Sequence, residues 1–186
     1  MTNKSTKFVI ADANKCIGCK ICEVACHAAH DEVNYTVGAQ SAPIIPRLHV
    51  LQIAGKSVPV QCRHCEDAPC ANVCAIGAIS EQDGKILINE QTCIGCKACL
   101  IACPFGAIDL LPQTVNGNQV LQARLKTSAI ADSTKVNLTA YKCDLCDGLE
   151  TQACIKACPE GALRLYDSEQ DTRAKALQAA LALNAI

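Results

Sequence analysis

The sequence predicts an α+β fold made of two tandem cysteine-rich modules, with loop and strand insertions and a C-terminal helix. Three observations carry this. Cysteine supplies 16 of the 186 residues. All sixteen fall into four groups of one syntax. A small-small-aliphatic step, Gly77-Ala-Ile, Gly106-Ala-Ile or Gly161-Ala-Leu, follows the last cysteine of three groups, as suits a chain leaving a helical turn and entering a strand.

The groups are Cys16, Cys19, Cys22, Cys26; Cys62, Cys65, Cys70, Cys74; Cys93, Cys96, Cys99, Cys103; and Cys143, Cys146, Cys154, Cys158. Each reads C-x-x-C, a variable gap, then C-x-x-x-C, and such repetition marks a repeated structural unit. The first and third groups both begin Cys-Ile-Gly-Cys-Lys. Cys74 and Cys93 are separated by 18 residues, whereas longer connections follow Cys26 and Cys103. The spacing therefore suggests an inner pair of groups (about 60–110) flanked by an outer pair (7–30 with 140–166), together a domain over 1–166.

Between the inner groups, short apolar runs around Asp83-Gly84 predict a tight hairpin. Phe8-Val-Ile10 and Leu163–Tyr166 are read as the outermost strands, able to pair with each other. The connections 28–61 and 110–142 read as strand-rich insertions at Arg47–Ile53 and Val115–Leu125, with a turn at Asn116-Gly117. The segment 167–186 is rich in Ala, Leu and Gln and reads as a helix capped by Ser168, with Ala174, Leu177 and Leu181 on one face. That face suits covering the domain's own core, docking a partner, or self-assembly.

Formal charge is −1 and aromatics are 3% with no Trp, which argues against a nucleic-acid binder. Cysteine at about 9% implies disulfides or metal. The polar start Met-Thr-Asn-Lys-Ser-Thr-Lys leads to only a short apolar patch, with no signal-peptide pattern, and no stretch approaches a membrane span. The expectation is a cytoplasmic protein whose reduced thiols hold metal.

A [4Fe–4S] cubane takes four thiolates. Two-residue gaps let a loop wrap three corners, and in the C-x₂-C-x₂-C-x₃-C-P run the fourth cysteine reaches a second cluster. The first and third groups carry C-x-x-C-x-x-C-x-x-x-C, with Pro104 closing the third as Pro159 closes the fourth. Zinc is the competing metal, but Cys₄ zinc sites use two knuckles separated by a longer loop.

With these motifs the chain resembles the four-cluster ferredoxin-like electron-transfer subunits of molybdopterin oxidoreductases and hydrogenase complexes. The resemblance spans about 7–166. Ile10–Cys19 and Cys62–Cys74 are most similar to the HydN/HycB branch, which serves formate dehydrogenases and hydrogenases. It implies a tandem ferredoxin-like fold of two 2[4Fe–4S] modules and four [4Fe–4S] clusters. It also implies the ligand sets: Cys16, Cys19, Cys22 with Cys158; Cys143, Cys146, Cys154 with Cys26; Cys62, Cys65, Cys70 with Cys103; and Cys93, Cys96, Cys99 with Cys74. His27 and Ala75 stand where proline commonly follows the fourth cysteine, a departure that removes no ligand.

Four all-cysteine cubanes, each about −2 when oxidised, add roughly −8 to the formal count. Lys15, Lys20, Arg63, His64, Lys97 and Lys142 lie in or beside the ligand loops. They are read either as solvated loop-tip side chains or as tuning and docking charges. Gly18 and Gly95 let their loops close over a cluster. His27, His30, His49 and His64 are read as ordinary residues, because sixteen cysteines already complete four sets.

No G-x-G-x-x-G opens a helix after a strand, no P-loop appears, and no cysteine is left over for a special cluster. The expected function is electron transfer without catalysis, with formate dehydrogenase or hydrogenase subunits as partners. An electron-transfer subunit of another molybdopterin reductase, a scaffold or assembly protein with structural clusters, and a zinc-bound interaction module are the competing readings.

Overall fold

The computed structural model describes residues 5–30, 44–115, 118–121 and 136–183. Along the chain run β1 (Lys7–Ala11), α1 (Ile21–His30), β2 (Leu48–Ile53), β3 (Lys56–Gln61), α2 (Pro69–Asn72), β4 (Ile79–Gln82) and β5 (Lys85–Ile88). They are followed by α3 (Ala98–Ala102), β6 (Asp109–Pro112), β7 (Thr114–Val115), β8 (Asn118–Gln119), β9 (Leu138–Tyr141), α4 (Ala153–Lys156), β10 (Leu163–Asp167) and α5 (Ser168–Leu183). The strands form five antiparallel two-stranded sheets: β1–β10, β2–β3, β4–β5, β6–β9 and β7–β8. Small sheets and short helices make an α+β fold.

The β1–β10 sheet closes the chain on itself, with Phe8 opposite Tyr166 and Val9 opposite Leu165. The Phe8 and Tyr166 rings lie 4.9 Å apart, and the Arg63 guanidinium sits 5.1 Å from the Phe8 ring. The β4–β5 hairpin turns at Asp83-Gly84, where φ is +50° and +76°, the doubly left-handed pattern of a type I′ turn.

Ala54-Gly55, with φ of +50° and +77°, makes the same turn between β2 and β3. The strand expected at Arg47–Ile53 is present, and it pairs with β3, a strand outside the sequence expectations that carries Pro59 opposite Val50. In a two-stranded sheet both strands are edges, so proline is tolerated. β9, paired with β6, likewise lies outside the sequence expectations. β7 and β8 fall within the second expected insertion, whose turn at Asn116-Gly117 and residues 122–125 lie outside the described residues.

Two apolar clusters form the core. One joins Val9, Leu48, Val50, Leu145 and Leu163 with Cys22, Cys26, Cys62, Cys143 and Cys154; the other joins Ile79, Ile86, Ile108 and Ala140 with Cys70 and Cys99. Much of each core is thiol rather than hydrocarbon.

α5 departs from expectation. Asp167, not Ser168, caps it: Asp167 Oδ1 accepts the N–H groups of Glu169 and Gln170 at 3.0 and 3.3 Å. Ser168 Oγ instead accepts the Thr6 N–H at 2.9 Å. The helix covers no core of its own domain. None of its residues is buried, and Leu177 and Leu181 are 62% and 61% exposed. The Ala-rich composition supports the helix by propensity, while the apolar positions stay open.

Candidate functional site

Three hollows are each walled by four cysteines. Cys93, Cys96 and Cys99 share one with Cys74. Cys16, Cys19 and Cys22 share a second with Cys158. Cys62, Cys65 and Cys70 share the third with Cys103. Of the remaining four, Cys26, Cys143 and Cys154 belong to the first core, beside Cys22 and Cys62, and the buried Cys146 lies near enough that it and Cys26 both add to the rise of the Cys154 thiol. Each quartet takes three cysteines from one loop and the fourth from a separate group.

Short helices produce this exchange. Cys22 and Cys26 lie on α1, Cys70 opens α2 toward Cys74, Cys99 opens α3 toward Cys103, and Cys154 opens α4 toward Cys158. The three-residue step therefore follows a helical turn from one quartet to the next. α1 packs against α4, and α2 against α3, so each pair of helices passes a cysteine in both directions.

Backbone donors converge on the sulfurs. After Cys158 the chain turns at Gly161 (φ +55°), and the Ala162 N–H points at Cys158 Sγ at 3.3 Å. The same turn directs Ala78 N–H to Cys74 Sγ (3.2 Å) and Ala107 N–H to Cys103 Sγ (3.4 Å). The recurring Gly-Ala step is thus a sulfur-bonding turn. Cys26 lacks it, and its Sγ accepts the Arg47 N–H at 3.3 Å from another segment. Ala140, Ala153 and His64 supply N–H groups to Cys93, Cys146 and Cys62. Positive φ at Gly18 and Lys20, and again at Gly95 and Lys97, curls both Cys-Ile-Gly-Cys-Lys loops into concave runs of the kind that present amides to an anion.

Burial pushes the Cys154 thiol up to about 12 and those of Cys22 and Cys70 up to about 11, and raises Cys65, Cys99, Cys143 and Cys146 as well. Neighbouring cysteines add to the rise for Cys65, Cys99 and Cys154. Such crowded thiols become thiolates when a metal supplies positive charge, so loading releases protons. A Cys₄ zinc ion would draw its sulfurs to about 3.8 Å from one another. Among the described residues no three His, Cys, Asp or Glu side chains converge to hold one ion. A cubane, which keeps its thiolates apart around iron and sulfide, fits the walled hollows.

Comparison with known proteins agrees. Profiles described as 4Fe-4S dicluster domain match residues 53–116 and 92–162, and one described as 4Fe-4S binding domain matches residues 13–31. Electron transport protein HydN of Escherichia coli K12 is 43% identical over 162 residues, covering 87% of this chain and 88% of HydN. Formate hydrogenlyase subunit 2 of the same strain is 40% identical over 190 residues, covering 96% and 90%. The putative electron transport protein YsaA, also of that strain, is 42% identical over 168 residues, covering 90% and 94%.

The chain belongs to the HydN family of iron–sulfur electron-transfer proteins. It binds multiple [4Fe–4S] clusters.

In this HydN-family chain the cations of the ligand loops separate into distinct kinds. Lys15, Lys20 and Lys97 are exposed, and Arg63 lies over Phe8. His64 and Lys142, by contrast, are only 2% and 3% exposed. His64 Nδ1 accepts the Ile86 N–H at 2.9 Å, which places its proton on Nε2, a buried donor with no partner among the described residues. Burial first, then the charge of Lys142, holds His64 down at about 3. Lys142 Nζ donates to the carbonyl of that same Ile86 and to the Cys143 carbonyl at 3.0 Å.

A polar lock at the Cys26 quartet was not read from the sequence. His30 Nε2 lies 2.9 Å from Asp144 Oδ1, Arg47 Nη1 donates to Asp144 Oδ2 at 3.0 Å, and Asp144 Oδ1 also accepts the Cys146 N–H at 2.9 Å. His30 Nδ1 approaches the Cys26 carbonyl at 2.7 Å and Cys26 Sγ at 3.9 Å. Burial favours the neutral ring, but the bond to Asp144 and the contacts with Cys26 outweigh it and push His30 up to about 10. Asp144 is held down at about 2: burial opposes ionisation, and the His30 bond and the Arg47 charge overcome it. The only sequence signal was Asp144 inside Cys-Asp-Leu-Cys, two residues before the amide it accepts, an Asx turn.

Proposed function

We propose that this chain is the electron-transfer subunit of a formate dehydrogenase or hydrogenase complex. Its four [4Fe–4S] clusters are held by Cys16, Cys19, Cys22 and Cys158; by Cys143, Cys146, Cys154 and Cys26; by Cys62, Cys65, Cys70 and Cys103; and by Cys93, Cys96, Cys99 and Cys74. The observation carrying this reading is the hollow shared by Cys74 with Cys93, Cys96 and Cys99, to which two separate cysteine groups contribute. The hollows of Cys158 and Cys103 repeat the pattern.

Bound clusters supply one-electron redox centres. The chain's own part is to fix their spacing through α1–α4 and α2–α3, to donate amides to their sulfurs, and to keep water away with aliphatic packing. The chain itself has no catalytic site and works in the cytoplasm beside catalytic subunits. The formate and hydrogenase assignment rests on likeness to HydN and formate hydrogenlyase subunit 2. Among the described residues no helix is long and apolar enough to cross a membrane. The exposed leucines of α5 supply a docking or self-assembly surface.

Affinity purification from the native host with mass spectrometry tests the partner. Recovery of a formate dehydrogenase or hydrogenase subunit supports the proposal, and recovery of only an unrelated molybdopterin reductase overturns that part of it. A redox titration tests the role, since clusters that do not cycle reversibly at low potential would be structural.

A further inference from the structure

Lys142 is buried, yet its ammonium makes no ion pair among the described residues. Its protons go to two backbone carbonyls, those of Ile86 and Cys143. The three carboxylates that share a hollow with Lys142 are each paired to another cation: Glu90 to Arg47, Asp144 to His30 and Arg47, and Asp147 to Lys85. A buried cation without a counter-charge is costly, and removing a partner from such a charge is among the more destabilising changes a protein undergoes. The anion that balances it should therefore lie against its side chain.

One wall of the hollow formed by Cys62, Cys65, Cys70 and Cys103 is Lys142 itself. Its charge is felt there: burial pushes the Cys70 thiol up, and Lys142 is the strongest influence opposing that rise. The next residue is Cys143, from the adjacent quartet. Lys142 thus stands between two cysteine quartets and is anchored through Ile86 to the β4–β5 hairpin. Ile86 also gives its N–H to His64, which lies in the Cys62–Cys65 loop.

We propose that Lys142 is the fixed counter-charge of the cluster held by Cys62, Cys65, Cys70 and Cys103, and that it raises the reduction potential of that cluster above the value the same ligands would give without it. The inference rests on the ligand sets proposed above. Adding an electron makes a cluster more negative, and a cation in a low-dielectric site stabilises the reduced form more than a solvated one does. Lys20 and Lys97, beside other quartets, are exposed and screened by water and salt. The consequence is a cluster at which an electron rests, ordering the steps along the protein.

Potentiometric titration followed by EPR on anaerobically prepared whole chain tests this. A Cys65→Ala variant identifies the signal of the cluster in question. In Lys142→Gln, which keeps a hydrogen-bond donor but loses the charge, the ratio of reduced to oxidised cluster at fixed potential should fall at least about tenfold, equivalent to about 59 mV for a one-electron couple. Lys142→Arg and Lys97→Gln should leave it near wild type. A Lys142→Gln protein with its full iron and unchanged ratios overturns the inference. Should Lys142→Gln and Lys142→Met both lose iron, retention of iron and potential by Lys142→Arg supports the counter-charge, and loss in Lys142→Arg overturns it. Wild-type protein with far fewer than sixteen irons strikes instead at the cluster reading, so the two failures are distinct.

Discussion

His30 Nε2 meets Asp144 Oδ1 at 2.9 Å, joining the helix that carries Cys26 to the loop that carries Cys143 and Cys146. These residues are 114 positions apart in sequence. The contact closes the one quartet whose fourth cysteine lacks the sulfur-bonding Gly-Ala turn, so a side-chain lock stands where the backbone device is missing.

Asp144→Asn should loosen that quartet selectively. It weakens the links to His30 and Arg47, for a loss of about 2 kcal/mol. Chelator challenge should release iron from this cluster roughly thirtyfold faster than wild type, with the other three clusters little affected.

The lock also has a pH window. His30 is raised, so its contribution is full below about 6.5 and is lost as pH rises through about 10. Asp144 is depressed, so its contribution is present above 3.8 and is lost as pH falls through about 2. The difference in iron release between wild type and Asp144→Asn should therefore be large at pH 6 and shrink toward pH 10. A difference constant over that range would count against the ion pair.

Gly18 and Gly95 occupy the same place in two near-identical loops, yet their substitutions should differ. A Cβ on Gly95 would lie 2.2 Å from the Leu138 carbonyl oxygen, a backbone atom of β9 that cannot step aside alone. A Cβ on Gly18 would meet Ser57 Oγ at 2.5 Å and Ser57 Cβ at 3.2 Å; turning the hydroxyl away relieves the first, and the second asks the neighbour to give by only a few tenths of an ångström. Both positions also carry the left-handed penalty of about 1 kcal/mol. Gly18→Ala should lower the thermal midpoint by about 3 °C, and Gly95→Ala by at least about 8 °C. Because β9 also supplies the Ala140 amide to Cys93 Sγ, Gly95→Ala should cost iron from the Cys93 quartet.

His64→Leu keeps bulk but removes the acceptor for the Ile86 amide. With Ile86 2% exposed, that amide is left unpaired at a cost of about 1–3 kcal/mol. Hydrogen exchange at Ile86 should accelerate about tenfold or more, while the Tyr166 amide, which faces Phe8 in a hydrogen-bonded pair of the remote β1–β10 sheet, keeps its protection.

Leu177→Ser with Leu181→Ser should leave iron content unchanged and shift the thermal midpoint by no more than about 2 °C, because neither side chain is buried in the chain itself. A larger drop would show that α5 packs on the domain.

The cysteine syntax, the Asp83-Gly84 turn and the outer pairing of Phe8 with Tyr166 were legible because each is local chemistry or a short alternating pattern. β3 was not legible, since Pro59 reads as a strand breaker until its sheet is known to have only two strands. The neighbours of Gly18 and Gly95 could not be read either, because the close approach comes from segments about 40 residues away. His30, Arg47 and Asp144 were passed over for the same reason: a histidine, an arginine and an aspartate distant in sequence carry no signal until the fold joins them. Lys142 stood among six loop cations, and only burial sets it apart from Lys15, Lys20 and Lys97. In α5 the sequence reading favoured Ser168 as cap, one residue too late.

The most direct measurement is iron and acid-labile sulfide per chain in anaerobically prepared protein, alongside the EPR of the fully reduced form. Four interleaved quartets require about sixteen of each and signals from four interacting cubanes. A colourless protein with zinc and no sulfide, or one with far fewer than sixteen irons, would contradict the account.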